Sequence, residues 1–73
     1  MDKRYRSHAK WSTGKITEDD HEKEIQAEKI CNYLLKTYRI SFCPTRGKCL
    51  EVWISKDNKI IKIKAGNKWK SEV

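Results

Sequence analysis

Two periodicities divide the chain. Ala27, Ile30, Cys31, Leu34, Leu35 and Tyr38 recur at helical spacing and fall on one stripe of a helix. Upstream, Glu18, Asp19, Asp20 and Glu22 crowd what would be its first turns, where the helix dipole favours negative charge. Thr17 with Asp20 three residues on resembles a weak capping box. The pattern predicts a helix over residues 18–38, and the dipole accounts for its acids without a catalytic role.

After Tyr38 the period becomes two. Ile40 and Phe42 alternate with Arg39, Ser41 and Cys43; Leu50, Val52 and Ile54 alternate with Cys49, Glu51, Trp53 and Ser55; Ile61, Ile63 and Ala65 alternate with Ile60, Lys62 and Lys64. Turn-forming residues 44–48, Asp57-Asn58 and Gly66-Asn67 bound these runs. If Asp57 and Asn58 form a two-residue loop, Lys56 faces Lys59, Ile54 faces Ile61 and Val52 faces Ile63. A five-residue loop over 44–48 then places Cys43 opposite Cys49. This register puts every apolar set on one sheet face, which the helix stripe can cover.

The expected fold is therefore α+β: an N-terminal amphipathic helix on a three-stranded antiparallel meander, α-β-β-β. Residues 1–12 show no apolar period and are expected to be a flexible basic arm, with residues 13–73 forming a single small domain. That register gives the uncovered face Arg39, Ser41, Cys43, Cys49, Glu51, Trp53, Ser55, Ile60, Lys62 and Lys64. Trp53 would lie across from Lys62 and Glu51 across from Lys64.

Charge gives this face a meaning. The 73 residues carry a net charge of +7, with 37% of them charged and 37% hydrophobic. Residues 1–16 hold five basic residues against Asp2, a net of +4. Residues 17–38 hold six acids against three lysines, a net of −3, and residues 39–73 hold nine basic residues against three acids, a net of +6. Such an excess suits an anionic partner. The leading expectation is nucleic acid, DNA or RNA, bound by Lys3, Arg4, Arg6, Lys10 and Trp11 in the arm and by Arg39, Arg46, Lys48, Trp53, Lys62, Lys64, Lys68, Trp69 and Lys70 in the domain. Lysines and arginines neutralise phosphates, and exposed indoles stack on bases or sugars. The structural alternative is a solvated face on which Trp53–Lys62 and Glu51–Lys64 are cross-strand pairs worth about 0.2–1 kcal/mol each. Glu51 in the middle of the face counts against phosphate binding.

A second functional reading is a protein-binding inhibitor or adaptor of the kind that phages and mobile elements encode, with Trp11, Trp53 and Trp69 as interface anchors. An RNA-cleaving toxin stands third, because no histidine is expected on the sheet, and a Cys–His nucleophile pair lacks a scaffold to orient His8, in the arm, or His21, in the first helical turn. The glycines Gly14, Gly47 and Gly66 are isolated and make no phosphate-binding motif. The expectation is a binding protein, with no catalytic residues and no cofactor.

The three cysteines fit neither a secreted disulfide framework nor a zinc knuckle, since Cys43 and Cys49 are six positions apart and the remaining donors are Cys31, His8 and His21. Free thiols are expected, and no metal. No apolar run is long enough to span a bilayer. Met1 to Trp11 is basic and lacks the apolar stretch of a signal peptide. These features lead to an intracellular, cytoplasmic expectation with no membrane partner.

Overall fold

Tyr5, Ser7, Ala9 and Trp11 alternate with Arg6, His8 and Lys10, and this alternation builds a strand. In the computed structural model, which describes residues 5–41, 43–64 and 68–71, strand β1 spans Tyr5–Trp11 and β2 spans Ile16–His21. Helix α1 follows at Glu24–Ile40, then β3 at Cys49–Lys56, β4 at Lys59–Lys64 and β5 at Trp69–Ser71. The strands form one antiparallel sheet in the order β2-β1-β3-β4-β5.

This architecture corrects the α-β-β-β meander. The helix lies between strands in the sequence, and the sheet has five strands among the described residues rather than three. Over Tyr5–Trp11 the expected arm is an interior strand, hydrogen-bonded to β2 on one side and β3 on the other. Residues 1–4 lie outside the described residues. Ser7 and Ala9 point inward at 3% and 1% exposure, and their small side chains let the helix approach the sheet closely. Ser7 is a buried polar residue whose Oγ lies 2.8 Å from Nε2 of His21, so its hydroxyl is satisfied.

The helix starts at Glu24, not at residue 18. Ile16–His21, carrying Glu18, Asp19 and Asp20, forms an edge strand instead. Charged side chains are compatible with an exposed edge and discourage pairing with another chain. The N-terminus of α1 is capped by Gln26, whose Oε1 accepts from the backbone N–H groups of Glu22 at 3.1 Å and Lys23 at 3.2 Å. At the other end the helix runs through Arg39 and Ile40, which were expected in a strand, and stops at Ser41, whose N–H donates to the Thr37 carbonyl. Pro44 follows three residues on, where the helix could not have continued.

The core lies between the helix and one sheet face. Ala27, Cys31 and Leu35, one turn apart, pack on Ala9, Trp11, Val52 and Ile54. Val52 and Ile54 point inward as the alternation predicts, while Leu50 is 52% exposed and Phe42 lies outside the described residues. Trp11 is fully buried. Its indole Nε1 donates to Oγ1 of Thr17 at 2.9 Å, its ring meets Tyr38 edge-on at 5.3 Å, and the Arg46 guanidinium lies 5.1 Å from the ring centroid.

The Asp57-Asn58 turn forms as expected. Both residues have positive φ, 52° and 64°, and Lys56 pairs with Lys59. Beyond that point a bulge intervenes: Ser55 pairs with Ile60 but Ile54 pairs with Lys62, leaving Ile61 as the extra residue. Trp53 therefore faces Ile63 and Val52 faces Lys64, not the predicted Lys62 and Ile63. A shift of one residue moves Lys62 and Lys64 to the helix side.

The loop between α1 and β3 folds back on the β1–β2 turn. Cys43 bridges Gly47, Ser12 N–H donates to the Lys48 carbonyl, and Thr13 Oγ1 donates to the Arg46 carbonyl. Gly47 has a φ of 89°, and a Cβ there would run into Ser12 Oγ, so both conformation and space call for glycine. Cys43 thus pairs with Gly47 and Cys49 pairs with Trp11, so the expected Cys43–Cys49 opposition does not form. All three cysteines are free.

Because Trp11 is a core residue, Trp11→Ala should lower stability by about 3–5 kcal/mol in chemical denaturation. A loss below about 0.5 kcal/mol would return Trp11 to a flexible arm.

Candidate functional site

The register distributes the candidate binding residues over two faces and one end of the sheet. On the helix side, Lys62 Nζ lies 2.7 Å from Glu24 Oε2 and 2.6 Å from Glu28 Oε1, and 5.2 Å from the Trp69 ring centroid. Lys64 Nζ donates to Asn32 Oδ1 at 2.7 Å and lies 5.7 Å from the same ring. Burial acts to lower the Lys62 pKa, but the hydrogen bonds and charges of Glu24 and Glu28 outweigh it and the net shift is upward. Lys62, Lys64 and Trp69 therefore come together as a clamp between helix and sheet. They are not on the face that carries Trp53, and their cationic groups are engaged by the helix.

The opposite face carries Trp53 with Arg6, His8, Lys10, Ile16, Glu18, Asp20, Glu51, Ser55, Ile60, Ile63 and Lys70, as the paired rows of the sheet dictate. Among the described residues no other element packs on it. His8 stacks on Trp53 with ring centroids 5.3 Å apart and planes 3° from parallel. Its Nε2 lies 2.8 Å from Ser55 Oγ and its Nδ1 lies 3.4 Å from Glu18 Oε2. A neighbouring carboxylate favours a proton on Nδ1, so the neutral ring accepts the Ser55 hydroxyl at Nε2. Arg6 Nε donates to Asp20 Oδ1 at 3.0 Å, and Lys10 pairs in register with Glu51. Arg6, Lys10 and Trp53 are thus brought together, but with Glu18, Asp20 and Glu51, whose three charges balance those of Arg6, Lys10 and Lys70 on the same face.

The other candidates gather at the end of the sheet where β1 stops and β3 begins. Lys15 lies in the β1–β2 turn, Lys36 and Arg39 in the last turns of α1, Arg46 and Lys48 in the following loop, and Lys68 at the start of β5. With Lys10 this makes a basic end whose only described carboxylate is Glu51. Among the described residues the ion pairs are Arg6–Asp20, His8–Glu18 and Lys62 with Glu24 and Glu28, all away from this end. Lys15, Arg39 and Lys48 are exposed, and Arg46 is half-buried over Trp11. Lys70 stands on the open face beside Ile63, and Trp11 belongs to the core. Lys3 and Arg4 lie outside the described residues.

Lys15, Lys36 and His8 were absent from the expected site. Gly14, with a φ of 91°, was the available signal for a hairpin turn that exposes Lys15. His8 shares the alternation of Arg6 and Lys10, which was legible once residues 5–11 were read as a strand.

No group of three or more His, Cys, Asp or Glu side chains among the described residues is arranged to hold a metal ion. Burial pushes the Cys31 thiol up to about 12 and Cys49 to about 11, so neither is an available thiolate at neutral pH. The Thr45 side chain and backbone N–H hold Cys43 below the usual thiol value. Comparison of the chain with family models, with curated proteins and with solved structures returns no match.

Burial beneath the open face lowers the His8 pKa below its ordinary 6.5; Glu18 opposes the shift, Arg6 adds to it and Asp20 opposes it. As pH falls, the unfolded chain takes up this proton first. The stability contributed by neutral His8 is therefore present above about pH 6.5 and lost as pH falls through the lower folded value. Denaturation at pH 7.5 and pH 5 should show this loss in the native sequence and a smaller one in His8→Gln. Equal losses would assign the pH dependence to other groups.

Proposed function

We propose that the protein binds nucleic acid, DNA or RNA, by phosphate contacts at its basic end. The observation that carries this reading is the separation of charge along the strands. Six lysines and arginines other than Lys10 project from the turns, helix end and loop at one end of the sheet, while the ion-paired carboxylates lie elsewhere. Cations on exposed turns reach phosphates without disturbing the core, and each contact releases counterions. Arg46 is held by its packing over Trp11, and Lys48 by the backbone bonds of its loop to Ser12, so part of the end is preorganised.

Trp53 is not required for this mode. Its ring is already stacked on His8, on a face whose charges balance. Lys62 and Lys64, engaged by the helix, contribute long-range potential rather than contacts. Among the described residues no helix is long and apolar enough to cross a membrane. The proposal places the protein in the cytoplasm, where three free thiols would stay reduced.

Two double variants of equal net charge test the reading. Lys15→Gln/Lys48→Gln removes two cations at the basic end, and Lys23→Gln/Lys59→Gln removes two exposed cations elsewhere. In mobility-shift titrations against single- and double-stranded DNA and RNA, the first should flatten the salt slope by roughly 0.7–0.9 per lost contact. The second should leave that slope nearly unchanged. Equal effects, or no shift of any nucleic acid at micromolar protein and low salt, would refute the proposal.

A further inference from the structure

Ser55, His8 and Glu18 form a line of three side chains on the open face. Ser55 Oγ lies 2.8 Å from Nε2 of His8, and Nδ1 of the same ring lies 3.4 Å from Oε2 of Glu18. A hydroxyl in reach of an imidazole whose other nitrogen is turned to a carboxylate is the arrangement of a nucleophile, its base and the group that orients the base. We propose that Ser55 is a nucleophile for acyl transfer, with His8 as its general base, Glu18 as a positioning residue and activated esters as the substrate class.

The fold supplies each part. His8 sits on the interior strand β1, so its backbone is fixed by β2 on one side and β3 on the other. Its ring is stacked on Trp53, its register partner in β3, with planes 3° from parallel, and that stacking holds the ring's orientation. Ser55 lies two residues beyond Trp53 on the same strand face, so the ring reaches it along the diagonal. Burial holds the His8 pKa below its ordinary 6.5, so at neutral pH the ring is uncharged and Nε2 can take the serine proton. Ser55 is 8% exposed, and its hydroxyl is approached from the open face, on which no other described element packs. The other serine–histidine contact, Ser7 with His21, lies on the side covered by the helix, where Ser7 is 3% exposed and closed to a substrate.

The surroundings define the substrate. In register, Ser55 stands between Arg6 on β1 and Ile60 on β4, with Trp53 and Ile63 paired in a neighbouring row. Ile60 is 45% exposed, and Trp53 and Ile63 are half-buried, so apolar surface beside the hydroxyl suits an aryl or short acyl group. The N–H groups of β3 lie in the plane of the sheet and are directed at β1 and β4, so they do not stabilise an acyl oxyanion above the face. The substrate must therefore carry a good leaving group. Oγ attacks the ester carbonyl as Nε2 takes its proton; the bond to the leaving oxygen then breaks, and His8 hands that proton to the departing alcohol or phenol. Water, deprotonated by the same nitrogen, attacks the acyl-serine, and the proton passes to Oγ as the carboxylic acid leaves. Ester plus water gives acid plus alcohol.

The probe is p-nitrophenyl acetate, with peptide mapping by mass spectrometry to locate the acetyl group over time. Ser55 should be acetylated faster than the exposed Ser12 and Ser41 of the same molecule. His8→Gln should slow Ser55 acetylation by about 10²-fold or more, the usual share of a general base. Glu18→Gln, on the exposed edge strand, should slow it by a smaller factor, and neither variant should change Ser12 or Ser41. Acetylation of Ser55 no faster than of Ser12 and Ser41 overturns the inference. So does a Ser55 rate that His8→Gln leaves unchanged; if circular dichroism shows that variant unfolded, Glu18→Gln decides by the same criterion. None of these residues belongs to the basic end. Lys15→Gln/Lys48→Gln should leave the acetylation rate unchanged, so failure of this inference and failure of the nucleic-acid reading are told apart.

Discussion

Trp11 joins β1, β2, β3, the helix and the loop that follows it. Its backbone continues β1 to the point where it meets Cys49 of β3, its indole N–H is bound by Thr17 of β2, its edge meets Tyr38 of the helix, and its face is covered by Arg46 of the following loop. A large ring that is fully buried in a chain of 73 residues contributes a substantial share of the available apolar burial. Removing it would leave the helix end, the β1–β2 hairpin and the loop without a common surface. The register shift between Lys10 and Trp11 leaves Leu50 of β3 as the extra residue opposite this point.

Parts of this arrangement were legible in the sequence. The stripe through Ala27, Cys31 and Leu35 identified the buried side of the helix, Val52 and Ile54 marked the inward side of β3, and Asp57-Asn58 formed the turn that sets Lys56 against Lys59. Strand β1 was hidden because its inward positions between Tyr5 and Trp11 are Ser7 and Ala9, too small or too polar to register as an apolar alternation. Strand β2 was hidden because an edge strand need bury little, and its run of acids mimics the start of a helix. The bulge at Ile61 has no local signature. Yet it alone decides whether Lys62 and Lys64 face solvent with Trp53 or lie under the helix with Glu24, Glu28 and Asn32. The register leaves Arg39, Arg46, Lys48 and Lys68 at one end of the sheet and moves Lys62, Lys64 and Trp69 from the expected Trp53 face to the helix side.

That placement gives the charge of the protein its form. Lys62, paired with Glu24 and Glu28, is consumed by the fold, and the open face sets Arg6 against Asp20 and Lys10 against Glu51. The remaining excess is concentrated at the end of the sheet that Trp11 holds together. A balanced face with an aromatic centre and a basic end without ion-paired carboxylates are different surfaces, suited to different partners.

Amide chemical-shift mapping with a short oligonucleotide at low salt tests the proposed phosphate contacts at the basic end most directly. Saturable shifts should centre on residues 13–15, 36–40, 46–48 and 68, and the amides of Glu24, Glu28 and Lys62 should move little. Shifts centred instead on the helix N-terminus and the 57–58 turn, or spread evenly without saturation, would contradict the account.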